Sequence, residues 1–276
     1  MSYTSNFMKS WLILFAFIFC LFNVQAQSNV IIPESYTAGN ATVARQGDWI
    51  PFHNPALLES TSEAEVTMLV ENRFAINELS TIDASIQFPV NPVKLGVGVS
   101  HFGFSTYSEM LVGIAIAHTF DKLLTIGIQF NYYGAYFSSE KGNKGTLLAQ
   151  VGFLSELSPN WYIGFSAFNP TRQKIHYQLV IKDIPSVINI GSSYRFSKEF
   201  LWLTQFTKAV NSNLQWAFGI EYQPVDALMV RLGGYGSPFI PTFGAGVRIN
   251  QFRINVNFEQ HPVLGITSVG GLQYLF

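Results

Sequence analysis

The chain has five histidines, His53, His101, His118, His176 and His261, and a single cysteine, Cys20. A nucleophilic hydrolase needs a hydroxyl held against a base and an orienting partner. No His-x-Ser pattern provides one. No His-x-x-x-His or paired-carboxylate pattern suggests a metal site or protease. His101 follows Ser100, but neighbouring residues of an extended run point to opposite sides. His118 shares a face with Ile114 and Ile116 beside the turn "TFDK", the setting of an interfacial side chain. The expectation is a protein that is not an enzyme and uses neither cofactor nor metal.

The other charges say more. Glu221, Arg231, Arg248, Arg253 and Glu259 fall on the polar faces of four successive period-two runs, and Arg195 is expected to join them. Charges in a low-dielectric setting must pair, and upstream Arg45 and Asp48 are candidate partners. Such a set is either a polar conduit or headgroup dock, or a salt-bridged ladder that holds an inserted segment. The ladder is the simpler reading.

The elements that position these groups follow from patterning. The 276 residues are 48% hydrophobic and 15% aromatic, but 12% charged, against about 25% in a typical soluble domain. Past the N-terminal run, apolar residues are dispersed rather than gathered into the roughly 20-residue stretches that spanning helices need. From "EVTMLVENRF" at Glu65 to the terminal "GITSVGGLQYLF", about fourteen alternating runs are separated by Pro, Gly, Asn, Asp and Ser clusters. In one run Trp216, Phe218, Ile220 and Tyr222 oppose Gln215, Ala217, Gly219, Glu221 and Gln223. Period two is what a wall between lipid and a polar lumen requires. Terse connections ("PVNP", "FDK", "LSPN", "SKE", "QPVD", "NQ") alternate with longer or irregular ones, as short periplasmic turns alternate with outer loops in membrane barrels. "QKIHYQLVIKDI", between the seventh and eighth runs, is a loop, a hairpin arm or an extra strand. The expected fold is all-β, a transmembrane antiparallel barrel of about fourteen strands over residues 61–276.

Tyr132, Trp161, Tyr162, Trp202, Trp216 and Tyr274 read as girdle aromatics at the membrane interfaces. In the loop Gly236 to Gly244, Pro238, Phe239, Ile240 and Pro241 form either a protein contact at the surface or a rigid loop folded over the mouth.

Residues 1–26 read as a signal peptide: Lys9, the apolar run Trp11 to Phe22, then Val24 and Ala26 before a cleavage site at Gln27. Removing it removes Cys20, and with it thiol and disulfide chemistry. Residues 27–60 lack alternation and contain Gly39, Gly47, Pro33, Pro51 and Pro55. The lumen of about fourteen strands is too wide for wall side chains to fill, so this segment is expected to plug it. Within it, Pro55 lacks a backbone donor and biases Asn54 to extended geometry. The unit Asn54, Pro55, Ala56 is expected to turn the chain from lumen into wall.

The last residues alternate and end on Tyr274 and Phe276. They resemble the terminal signal read by the outer-membrane assembly machinery. That places the protein in the outer membrane of a Gram-negative bacterium, with lipid and the assembly machinery as partners. A net charge of −1 gives no electrostatic case for nucleic acid.

One stretch carries a family signal. "YTAGNATVARQGDWIPFHNPALL", Tyr36 to Leu58, resembles the N-terminal segment of the FadL-like barrels, in which a Gly/Ala-rich start precedes Asn-Pro-Ala and an aliphatic residue, here Leu57. The resemblance implies either a passive uptake channel for hydrophobic molecules or a PorV/PorQ-type protein of the Bacteroidetes type IX secretion system. Short outer loops and a short chain depart from the uptake channels and resemble the smaller PorV/PorQ-type members. The expectation is therefore a barrel in protein secretion or surface attachment of cargo, with secretion-system subunits or cargo as partners. The alternative is a channel carrying a hydrophobic ligand. A lipid-open gap in the wall beside the plug would favour the channel. A sealed wall with a flat apolar rim would favour the interaction barrel.

Overall fold

The computed structural model describes residues 32, 35–60, 63–121, 123–138, 144–177 and 181–276. The expected signal peptide and Pro33 lie outside these residues. The strands are β1 (Glu65–Asn72), β2 (Ser80–Val90), β3 (Val93–Phe104), β4 (Tyr107–Phe120), β5 (Leu124–Phe137), β6 (Lys144–Ser158), β7 (Trp161–Phe168) and the short β8 (Lys174–His176) and β9 (Ile181–Asp183). They continue with β10 (Val187–Arg195), β11 (Phe200–Ala209), β12 (Gln215–Val225), β13 (Leu228–Tyr235), β14 (Ile240–Ile249), β15 (Phe252–His261) and β16 (Gly265–Leu275). Fourteen of them close into one antiparallel barrel in which β7 pairs with β10 and β1 with β16. Glu65 faces Leu275 and Asn72 faces Ser268 across that closure, so no strand edge is left in lipid.

Alternation in sequence becomes alternation in burial. Glu65, Thr67, Leu69 and Glu71 of β1 are buried inward while Met68 and Val70 are exposed outward. The outer wall carries large apolar side chains such as Ile114, Phe130 and Leu147, exposed at 63%, 65% and 72%. A continuous apolar face of this kind is stable against acyl chains, not water. The chain therefore spans the membrane by strands.

The ladders shift register at Tyr222/Val225 and Glu156/Ser158, both beside short turns. Between them the wall is continuous, with no lateral break among the described residues. The short turns and both barrel termini share one end. The other end holds the longer loops, except that two residues join β3 to β4, three join β15 to β16 and four join β13 to β14. The span "QKIHYQLVIKDI" contributes β8 and β9, a separate two-stranded sheet, so of its three readings the hairpin is correct.

Two local expectations need correction. Ile240 and Pro241 are not in a loop: they open β14, paired with Tyr235 and Gly234. Phe239 neither folds over the mouth nor stands free, because it stacks along the outer wall on Trp216 and Phe218. Tyr162 is not a girdle residue. It packs inward against the cluster containing Val43 and Ala44, since Gly164, Ser166 and Phe168 set the inner face of β7 at this parity.

Candidate functional site in the lumen

Residues 35–60 lie against the inner faces of strands on opposite sides of the barrel. A 3-10 turn at Ala38–Asn40 crosses β12 and β13 at backbone contact. Gly39 has φ 61°, and a Cβ there would lie 1.9 Å from the Phe218 carbonyl oxygen. Opposite it, a Cβ on Gly219 would lie 2.2 Å from the Ala38 oxygen. Wall and segment are glycine at the same point because neither has room for a side chain. Gly39 N–H donates to Thr242 Oγ1 at 2.9 Å, and the N–H groups of Thr42 and Val43 both donate to Gln205 Oε1 at 2.9 Å. The irregular backbone thus finds its hydrogen bonds on inward polar side chains.

A second 3-10 segment, Pro55–Ser60, rests on β4, β5 and β6. Asn54 fixes its start. Its Oδ1 accepts from Ala56 N–H at 3.0 Å, and its Nδ2 donates to the carbonyls of Val43 at 2.6 Å and Phe153 at 3.3 Å. The expected turn from lumen into wall is therefore placed too early: Asn54–Pro55–Ala56 begins a buried helical turn, and the wall begins at Glu65. Asn54→Ala removes the cap and two donations to carbonyls, which should cost about 2 kcal/mol. Trp49 is buried in the neighbouring cluster, so its fluorescence through urea unfolding reports the loss.

Toward the short-turn end the segment is tied by charge. Arg45 pairs with Asp48, and its Nε and Nη2 donate to Glu221 at 3.2 and 3.1 Å. Arg253 Nη1 donates to the other Asp48 oxygen at 2.6 Å, and Arg231 Nε lies 3.4 Å from Glu221 Oε1. Arg231 also lies over the Tyr36 ring, 5.4 Å from its centroid, and Gln273 donates to the Tyr36 hydroxyl at 2.8 Å. Three segment residues, Tyr36, Arg45 and Asp48, thus join four wall strands, β12, β13, β15 and β16. Burial alone would push Asp48 up, but Arg45 and Arg253 outweigh it and hold its carboxyl below the usual value. Burial likewise opposes the charge on Arg45, and Glu221 and Asp48 raise it above its ordinary value.

The sign of the pH dependence follows. A carboxylate lowered on folding stabilises the fold above its unfolded value, near 3.9, and that contribution is lost as pH falls through the lower folded value. We expect the unfolding midpoint to fall in acid below about pH 4. Asp48→Asn should be less stable at pH 7 and should flatten this acid limb.

The loop end is closed differently. The hairpin β8–β9 folds inward, burying Ile175 and Tyr177, with Ile184 just after it. Tyr177 donates to the Ala135 carbonyl at 2.7 Å. Lys182 pairs with Glu109 and donates to Tyr107, while Tyr133 donates to the second Glu109 oxygen at 2.7 Å. The Lys182 ammonium also faces the rings of Tyr107, Tyr133 and Phe137. Beneath lies one apolar cluster of Phe52, Phe102, Leu111, Tyr133, Leu148 and Phe168, with Tyr107 and Phe137 against it.

The structure unites Arg45, Asp48, Glu221, Arg231 and Arg253, the salt-bridged ladder of the sequence reading. It does not add Glu259, which accepts from Tyr235 toward the loop end. Arg195 and Arg248 reach the short-turn rim, donating to the carbonyls of Lys198 and Asn250. Tyr274 and Phe276 pack edge to face on the outer wall. Sequence reasoning missed Gln205, Tyr36 and the Glu109–Lys182 pair. A lysine in an otherwise unassigned apolar-polar loop was the one available signal for the last.

No family model matches the chain, and no curated protein matches it in sequence. Solved structures do. The chain is similar to the Pseudomonas putida toluene transporter TodX, with 11% identity, a TM-score of 0.65, and coverage of 91% of this chain and 97% of that one. It is also similar to a Pseudomonas aeruginosa FadL homologue, with 10% identity, a TM-score of 0.58, and coverage of 87% and 96%. At these identities the likeness establishes architecture: the chain has a FadL-like fold.

Proposed function

We propose that the protein is an outer-membrane channel for small hydrophobic molecules, held closed in this conformation by its inward segment and its loop-end hairpin. The observation that supports this reading most is the aromatic cluster under the hairpin. Phe102, Phe137 and Tyr107 meet Phe52 of the inner segment, so raising the hairpin, which carries Tyr177 away with it, would present an apolar, ring-lined bowl to the outside. A bowl of this kind suits an uncharged apolar solute. The fold shared with a toluene transporter is consistent with that solute class. The test is flux of toluene into proteoliposomes holding the purified chain, against empty liposomes and against glucose. Flux of toluene alone supports the reading, and equal toluene entry with and without protein defeats it.

The second reading is the secretion or attachment barrel of PorV/PorQ type. The continuous wall favours it, because a gap beside the inner segment was the feature expected of a channel. The outer aromatic row of Trp202, Phe218, Trp216 and Phe239, stacked at 5.8–6.5 Å, offers a flat apolar face. Recovery of secreted cargo or secretion subunits with the barrel from native membranes would place this reading first.

A further inference from the structure

The outer wall carries a groove of about 200 Å³ at the loop end, where β10 lies between β7 and β11. We propose that it binds the phosphate group of an anionic acyl lipid in the outer leaflet, held by Arg172 and Lys208. Ile188 lies along the groove, paired with Ala167 on one side and Lys208 on the other. Ala167 has the opposite parity to the inward Gly164, Ser166 and Phe168, and its small outward side chain leaves the depression. Pro170 and Val210, just beyond the ends of β7 and β11, line the loopward side. Arg172 and Lys208 are both exposed, and the lining holds no carboxylate. Among the described residues neither cation takes part in a salt bridge. Lys208 Nζ donates to the Ser212 carbonyl, which leaves further ammonium hydrogens for a ligand. Arg172 stands at φ 55°, its N–H on the Asn169 carbonyl at 3.0 Å. Buried Asn169 fixes that loop by donating to the Ile184 carbonyl at 2.9 Å and accepting from Gln173 N–H at 2.8 Å. A cation presented from an ordered turn loses little freedom on binding.

The height of the groove selects a lipid over a free anion. Nearer the membrane centre, Ile190 faces Phe165 and Phe206 across the same two ladders. Ile190 and Phe206 are about half exposed on the outer wall, so acyl chains find an apolar track directly beneath the cations. Phe206 in turn faces Trp216, whose indole stacks along the outer wall on Phe218 and Phe239. Indole rings settle at headgroup level. Lys208, two residues or about 7 Å beyond Phe206, therefore stands where lipid phosphates lie. Basic side chains at that depth attract anionic lipid, and an arginine fork matches phosphate oxygens. The site is independent of what passes through the lumen.

The test is native mass spectrometry of the full chain in a non-ionic detergent, titrated with dimyristoyl phosphatidate. Dimyristoyl phosphatidylcholine, zwitterionic with the same tails, is the control. Phosphatidate should bind at least ~10-fold tighter than phosphatidylcholine, a step of ~1.4 kcal/mol. Arg172→Gln and Lys208→Gln should each weaken phosphatidate by ~5-fold, and the double variant by ~25-fold, at ~1 kcal/mol per basic residue. Lys198→Gln, which removes the same charge from the turn between β10 and β11 at the opposite end, should change nothing. Inorganic phosphate and hexaglutamate, each at the phosphatidate concentration, should not displace the lipid. Equal binding of the two lipids, unchanged affinity in the double variant, or an equal loss in Lys198→Gln would overturn the proposal. So would displacement by inorganic phosphate, which assigns the groove to a free anion, or by hexaglutamate, which assigns it to an acidic protein surface.

Discussion

Arg45→Ala should destabilise the barrel by about 3–5 kcal/mol, the cost of stripping a partner from buried charges. Arg45 alone touches both Asp48 and Glu221. Without it, Glu221 keeps Arg231 and Asp48 keeps Arg253, but the charged tie between segment and β12 is gone. The expected result is a lower urea midpoint and earlier exposure of Trp49. In planar bilayers the variant should also show higher ion conductance than the parent, because the segment reaches between inner faces on opposite sides of the barrel. The double variant Arg45→Met with Glu221→Met should recover much of the stability, since replacing a buried pair by apolar volume is often neutral. An Arg45→Ala variant with parental midpoint and conductance would mean that the glycine contacts and Gln205 hold the segment unaided.

Lys182→Met should loosen the loop-end hairpin without disturbing the barrel. The substitution keeps an apolar stem against Phe137 and Tyr107 but removes the charged bond to Glu109. Glu109 remains served by Tyr107 and Tyr133, so no bare buried charge results. A hydrogen bond between charged groups contributes about 1.5–3 kcal/mol, which is about a 10- to 150-fold shift toward the raised hairpin. Amide exchange at residues 174–177 and 181–183 should quicken by that factor, with β4 and β5 unchanged. If the channel reading holds, toluene flux should rise with it. Faster exchange with unchanged flux would leave the hairpin a lid but remove it from the transport path.

Much of this molecule was legible in its residues. Period-two alternation located the fourteen wall strands, because a lipid-facing side chain and a lumen-facing one must take turns on a pleated backbone. Connection lengths oriented the two ends, and the lack of alternation before Glu65 marked residues of a different role. The charged residues of β12, β13 and β15 were legible as a set, since an inward charge in such a wall needs a partner.

Tertiary structure alone decided where those partners met. Alternation states that Glu221 and Glu259 both point inward, but not that one faces Arg45 near the short turns and the other faces Tyr235 near the loops. The inner glycines carry the same lesson. Gly219 and Gly152 read as weak strand residues until Ala38 and Asn54 are seen to occupy the space their side chains would need. Tyr162 left its expected outer face, and Phe239 its expected loop, for the same reason: an aromatic ring settles wherever apolar neighbours already stand, and those neighbours are distant in sequence. The hairpin β8–β9 is the limiting case, because six strand residues with one half-buried lysine, Lys182, have no pattern of their own, and their position follows from Glu109 and Ala135 on a wall some forty to seventy residues earlier.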